Sequence, residues 1–340
     1  MPTHDVHQAF IAWAEAQLGK RERPLFQRMA KRSGIAHRWS ILPQAPHPTE
    51  PGGFYHCDPL PGTGARMEIY AHEAPALALR AIEDLRGRVA LDGITHLVVA
   101  SCTGFVAPGI DQIIAAKLGL APSVERLLVG FMGCYAAVVA LRSARHIVRS
   151  EPQARVLVVT VELSSLHLNP ADQLEPLLAM LQFGDGAAAA LVTADPQGFA
   201  LGNGFATTLP DSARLIRWDI TDRGFAMHLS GEVPGRIAEG LSDPDFASAA
   251  TGGHDPQEID GWAVHAGGRS ILDAVERALH LDGRALDASR GVLNEFGNMS
   301  SSTLMFVLSR MLAGPPVEHG VALAFGPGLA AEGFGFTSAG

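Results

Sequence analysis

Cys134 stands where a thiol can act as a nucleophile. It falls in GFMGCYAA, residues 130–137. The apolar run 127–132 predicts a short buried strand, and Gly133 a tight turn. Over about 135–149, Arg142, Arg145, His146 and Arg149 share one face of a 3.6-residue period while Val138, Leu141 and Val148 fall on the other, which predicts a helix. Glu151-Pro152 closes it, since proline cannot continue a helix and disfavours helix just before it. A cysteine where a strand turns into a helix meets free backbone N–H groups and the positive end of the helix dipole. Both favour the thiolate, the nucleophilic form. The plainer reading is a small buried apolar side chain, the commonest setting of free cysteine.

Two further residues could complete a thiol site. His265 ends the apolar stretch GWAVHA and precedes Gly267-Gly268, which let backbone or ligand approach closely. Asn298 lies in FGNMSSST, between a glycine and a serine-rich helix start, where it could also serve as a helix cap. A histidine of this kind is also at home simply packed in the interior. No spacing rule brings the three together. If the fold does, Cys, His and Asn make a nucleophilic thiol enzyme.

The elements that would position them read as alternating buried strands and helices. Apolar strands are predicted at 95–101, 127–132, 154–166, 183–194, 261–266 and 321–329, and helices at 1–19, 67–88, 111–118, 170–182, from Ser270 onward and over 299–313. This pattern implies an α/β fold with largely parallel, helix-covered sheets. The two halves look alike, each with a strand, a reactive residue at its end, a helix and a later strand closing in a glycine loop, so a duplication of about 150 residues is expected. The stretch 41–65 carries six prolines and four glycines and reads as irregular surface.

Composition narrows the classes. The chain has 340 residues, 47% hydrophobic and 18% charged, with a net charge of -9. That charge argues against a nucleic-acid or anionic-membrane binder. Three cysteines do not make a disulfide framework. The N-terminal residues lack the signal-peptide pattern, no run reaches the ~18 apolar residues of a membrane span, and a cytoplasmic location is expected. One stretch runs against the overall charge. Between Lys20 and Arg38 seven basic residues face one acid, with Arg28, Lys31 and Arg32 on one helix face, either a site for a phosphorylated ligand or a solvated surface.

Seven motifs, in order, carry a family resemblance: SCTGFVAPG, GFMGCYAA, VELSSLHL, FGDGAAA, HAGG, GNMSSST and AFGPG. Together they resemble the type III polyketide synthases, the chalcone-synthase-like branch of the thiolase superfamily. Their wording is most similar to bacterial alkylpyrone and alkylresorcinol synthases. The resemblance implies a thiolase-like fold of two pseudo-duplicated βαβαβ halves in an α-β-α-β-α core, residues 1–200 carrying the cysteine and 201–340 the histidine and asparagine. It implies loading of an acyl-CoA starter, fatty acyl-CoA among the candidates, on Cys134 and extension with malonyl-CoA by decarboxylative condensation. A pyrone, resorcinol or related polyketide would leave.

In that scheme His265 pairs with Cys134 as imidazolium, and His265 with Asn298 donates to the malonyl thioester oxygen. Phe183 and Met227 match gate positions, Met227 replacing an aromatic residue. Cys102, Thr103, His167, Trp218 and Ser300 match cavity positions; Trp218 replaces a glycine and should narrow the cavity. Arg28 and Arg32 match residues holding the coenzyme A phosphates, with Lys31 compensating for a family lysine that is Leu25 here. The scheme needs no metal or organic cofactor, only coenzyme A thioesters as substrates, and implies a homodimer. Two alternatives remain beside it: a ketoacyl synthase III-like single condensation onto acyl carrier protein, and a non-catalytic homologue acting as a dimer partner.

Overall fold

The computed structural model describes residues 2, 4–43, 47–171 and 173–339; residues 44–46 of the proline-rich stretch and residue 172 of the helix expected at 170–182 lie outside them. The chain opens with β1 (His4–Asp5), α1 (His7–Gln17), α2 (Arg23–Arg32) and β2 (Trp39–Ser40). There follow α3 (Thr63–Arg86), β3 (His96–Ser101), α4 (Ile110–Leu118), β4 (Glu125–Gly130), α5 (Ala136–Ser150), β5 (Val156–Leu163), α6 (Leu174–Met180) and β6 (Asp185–Val192). The second half holds β7 (Phe199–Thr208), the hairpin β8 (Ile216–Thr221) and β9 (Gly224–Leu229), then α7 (Val233–Ser242), α8 (Pro244–Ala250) and β10 (Gly261–Val264). It ends with α9 (Arg269–Ala278), α10 (Asp287–Phe296), α11 (Ser301–Leu312), β11 (Gly320–Gly326) and β12 (Ala330–Ser338).

Two four-stranded sheets carry the fold, ordered β4-β3-β5-β6 and β10-β11-β12-β7. In the first, β3 runs parallel to β4 and β5, with His96 opposite Glu125 and Val156, and β6 is antiparallel. In the second, only β10 and β11 are parallel, so it is more mixed than the sequence pattern implies. The second sheet begins at Phe199, two residues ahead of a division at 200/201.

Strands apolar on both faces are covered on both faces. Val98, Ala100, Val156 and Val158 of the first sheet, and Ala322 and Ala324 of the second, pack on α5 and α11 between the sheets. Leu97, Val99, Leu157 and Val159 face α3 and α4 outside; Val321, Leu323 and Phe325 face α9 on the other outside. Burial of each such side chain contributes about 1.5–3 kcal/mol. The layering is therefore α-β-α-β-α. The basic face of α5 joins the halves: Arg142 pairs with Glu332 at 2.7 Å and Arg145 donates to the Leu201 carbonyl at 2.8 Å.

One strand departs from expectation. β4 carries the chain toward Cys134 and reads as buried, yet Leu127 is 41% and Leu128 42% exposed. It is the edge of its sheet, so one face and one ladder lack a neighbour within this chain.

Candidate active site

Cys134 sits on a short 3-10 turn, Gly133–Tyr135, that leads from β4 into α5. Gly133 has φ 74°, and a Cβ there would lie 2.4 Å from Pro327 Cδ, so only glycine lets the turn press against the loop after β11. The buried thiol of Cys102 accepts the Gly133 N–H at 2.9 Å. Cys102 thus holds the turn that carries the other cysteine.

Asn298 enters from the second half. Its N–H donates to the Gln182 carbonyl at 2.8 Å, and its own carbonyl accepts from Gly184 at 3.0 Å, which bridges it to Phe183. Its Oδ1 accepts the Ser300 N–H at 2.8 Å, an Asx-type turn, and its Nδ2 donates to the Gly267 carbonyl at 3.1 Å. The N-cap of α11 is Ser300, so Asn298 is not the helix cap, and its second amide proton remains for another acceptor. Ser300 takes φ 48°, a strained value for a non-glycine residue. The side chains of Asn298 and Ser300 both favour the thiolate form of Cys134.

Burial works against the expected imidazolium–thiolate pair. Burial pushes the Cys134 thiol up to about 12, against the Ser300 and Asn298 hydrogen bonds and aided by the Glu162 carboxylate. Burial pushes His265 down to about 3. Its ring is buried, and neither nitrogen has a hydrogen-bond partner. Burial penalises both charged forms, and at Cys134 that outweighs the turn's N–H groups.

Glu162 was not singled out from the sequence. It is fully buried on β5, and it accepts from the Cys102 N–H at 2.9 Å, the Thr103 hydroxyl at 3.0 Å and the Ser301 hydroxyl. Burial raises it to about 7, against those hydrogen bonds. A lone acid inside the apolar run VLVVTVEL was the available signal.

Two cavities adjoin at the site. The smaller, about 20 Å³, is lined by Cys134 with Cys102, Thr103, Phe183, Trp218, Met227 and Ser300 among others. The larger, about 300 Å³ and mostly apolar, is lined by Phe183, Trp218 and Met227 on one side and by residues of α1, of the segment after α2, and of 164–171 on others. His167 lines the larger one. Its Nε2 donates to the Thr103 carbonyl at 2.7 Å, its Nδ1 accepts the Phe225 N–H at 3.0 Å, and its ring stacks on Phe225 at 4.3 Å. Arg28, Lys31 and Arg32 lie exposed on α2, away from both cavities. Arg38, part of the same basic run, is instead buried, 3% exposed.

The layered α/β fold is shared with solved type III polyketide synthases. The structure superposes on the C-terminal type III polyketide synthase domain of Steely1 from Dictyostelium with a TM-score of 0.87 at 25% identity, covering 100% of this chain and 97% of that one. It matches the brown-algal PKS-I of Ectocarpus siliculosus at 0.86 and 29%, covering 99% and 95%. It matches 1,3,6,8-tetrahydroxynaphthalene synthase of Streptomyces coelicolor A3(2) at 0.87 and 27%, covering 100% and 97%. In sequence, the chain is 36% identical over 286 residues to the alpha-pyrone synthesis polyketide synthase-like Pks18 of Mycobacterium tuberculosis, covering 80% of this chain and 72% of that one. Residues 2–196 match the chalcone and stilbene synthases, N-terminal domain, and 201–339 the C-terminal domain. The chain belongs to the chalcone and stilbene synthase family and is a type III polyketide synthase.

Proposed function

We propose that Cys134 accepts the acyl group of an acyl-CoA starter and that His265 and Asn298 serve the malonyl-CoA extender. The observation carrying this is His265: a buried imidazole with two unspent nitrogens, on the turn whose Gly267 carbonyl holds Asn298, and Asn298 in turn favours the Cys134 thiolate. A neutral imidazole that reaches the thiol accepts its proton. As the starter carbonyl arrives, the Cys134 proton passes to His265, sulfur bonds the carbonyl carbon, and the imidazolium returns the proton to the departing coenzyme A thiolate. Malonyl-CoA then loses carbon dioxide. The electron pair of the broken bond becomes an enolate whose oxygen accepts hydrogen bonds from His265 and Asn298. The enolate carbon attacks the Cys134 thioester carbonyl and expels the sulfur as thiolate, which regains the thiol by taking one proton from solvent.

Coenzyme A thioesters suffice for this chemistry, with no resident cofactor. The exposed cations of α2 suit the coenzyme A phosphates. A pyrone product is proposed from the Pks18 likeness. A homodimer is proposed through the β4 edge, where Leu127, Leu128 and Phe105 lie exposed together. Among the described residues no helix is long and apolar enough to cross a membrane; a cytoplasmic enzyme without nucleic-acid partners is the reading we adopt.

The test is incubation with malonyl-CoA and a panel of acyl-CoA starters, with mass analysis of products and of the intact protein. We expect an acyl adduct on Cys134 and polyketide release, both abolished in Cys134→Ala. Polyketide formation by that variant would overturn the assignment.

A further inference from the structure

Asn298 is held through its side chain by Ser300 and Gly267. Its backbone depends on a part of the chain that carries no reacting group. The Asn298 N–H donates to the Gln182 carbonyl at 2.8 Å, and Gln182 lies in the turn between Met180 and Phe183. Arg38 Nη1 donates to the Met180 carbonyl at 3.0 Å and to the Phe183 carbonyl at 2.6 Å. One guanidinium nitrogen gathers both ends of this turn, and a carbonyl inside the turn receives Asn298. Gly297 completes the contact. It takes φ 68°, and a Cβ there would lie 2.8 Å from Arg38 Cγ and 2.9 Å from the Gln182 carbonyl oxygen. The Arg38 stem therefore packs against the residue that precedes Asn298.

Arg38 is itself fixed. Its Nε donates to His7 Nδ1 at 3.0 Å, its backbone N–H donates to Asp5 at 3.2 Å, and its guanidinium carbon lies 4.5 Å from the centre of the Phe10 ring. Nη2 has no partner among the described residues; Arg38 lines the larger cavity, the chamber of about 300 Å³. The neighbours of Arg38 grip the other approach to Asn298. Ala36 and His37 donate to the Asn294 carbonyl at 2.8 and 3.1 Å, and Trp39 Nε1 donates to the Glu295 carbonyl at 2.9 Å. Both carbonyls belong to the last turn of α10, which ends two residues before Asn298. Segment 34–41 of the first half thus ties together the two stretches, 180–184 and 294–298, that meet at Asn298.

This arrangement is costly. Arg38 is 3% exposed, and among the described residues no carboxylate pairs with its guanidinium. An apolar side chain would fill the same space without the desolvation of a charge. It could not fix two carbonyls at once with directed hydrogen bonds, as a planar guanidinium does. Resting on the reading that Asn298 serves the malonyl extender, we infer that Arg38 is a positioning residue for Asn298. Through the Gln182 carbonyl it sets the place of the amide that receives the enolate oxygen, and it contributes little to loading of Cys134.

The experiment follows two half-reactions separately: carbon dioxide release from malonyl-CoA, and acylation of Cys134 without extender, read by intact-protein mass with the starter that the acyl-CoA panel selects. A small misplacement of a catalytic group can cost about 10²-fold. Arg38→Gln is expected to lower kcat for carbon dioxide release about 10- to 100-fold, with KM for malonyl-CoA and the acylation rate per acylatable chain each within about threefold. Arg38→Lys, which keeps a donor toward the two carbonyls, should recover part of the loss. Added to Asn298→Ala, Arg38→Gln should cost less than about threefold more, because residues acting through one another are not additive. Acylation and carbon dioxide release falling together, or losses that multiply in the double variant, overturn the inference.

Trp39→Phe keeps the ring and removes the N–H that holds Glu295, and it tests the same idea should Arg38→Gln not fold. It should slow carbon dioxide release about threefold and leave acylation alone. Unchanged release in both Trp39→Phe and Arg38→Lys overturns the inference. Asn298→Ala that releases carbon dioxide at the wild-type rate overturns the Asn298 assignment, and this inference with it. A slow Asn298→Ala beside a fast Arg38→Gln overturns the inference alone.

Discussion

His167 and His265 lie in two regions that treat the same side chain in opposite ways. Both rings are buried, and burial pushes both down, to about 4 and about 3. Around His167, beside the chamber, the Thr103 carbonyl and the Phe225 N–H use both nitrogens, and an aromatic stack fixes the plane. At the end of β10 His265 has neither nitrogen used. Burial and a lowered proton affinity therefore do not separate structure from chemistry. Unspent hydrogen-bond capacity does, because a satisfied ring has nothing left to offer a substrate and an unsatisfied one costs the fold until a substrate arrives.

The sharpest way to break this contrast is to remove each ring. His265→Ala is expected to lower kcat by about 10²–10³, the effect of losing one preorganised donor, with a melting temperature unchanged or raised because an unsatisfied group is gone. Retained kcat would erase the contrast. Asn298→Ala should fall between, losing about 10²-fold in kcat and also stability, since its amide is spent on Ser300 and Gly267. His167→Ala should reverse the pattern, with about 2–4 kcal/mol lost in denaturant unfolding from two orphaned backbone groups and a smaller loss in kcat.

Titration should show the two histidines to be alike where chemistry shows them different. Each has a folded value below the ordinary 6.5. Below pH ~6.5 the unfolded chain takes up a proton that the fold refuses, so each contribution is full above that pH and is lost as pH falls toward 4. Each amounts to about 2 kcal/mol at pH 5. Glu162 and Asp185, raised by burial to about 7 and about 6, act in the opposite sense and blunt the wild-type profile. The stability of wild type relative to His167→Gln, or to His265→Gln, should therefore fall by about that amount between pH 7 and pH 5. A gap that does not change with pH would mean the ring is charged in the fold.

The smallest effect belongs to the surface. Replacing Arg28, Lys31 and Arg32 together by alanine should raise KM for acyl-CoA about three- to tenfold, less at high salt, with kcat moving less than KM. A salt-independent change would assign the patch another role.

Much of this was legible because it is local. The apolar runs that became β3, β5, β10 and β11 were readable, as were the glycine turn before Cys134 and the Gly-Pro loop after β11. Strand and turn signals lie within a few neighbouring residues. Misreadings arose where partners decide. Leu127 and Leu128 have the composition of a buried strand, yet lie exposed at an edge. Arg38 belongs to a cationic run, yet it turns inward to the Met180 and Phe183 carbonyls.

By itself the sequence determined the alternation of strands and helices, the turn that presents Cys134, and the candidacy of His265 and Asn298, since periodicity and backbone freedom are properties of short segments. The tertiary structure alone decided that burial disfavours charge on both thiol and imidazole, that a second chamber lies behind Trp218, and that Arg38, Ser164 and Trp218 line it. These follow from desolvation and from which side chains meet across a hundred or more residues, and no local pattern encodes either.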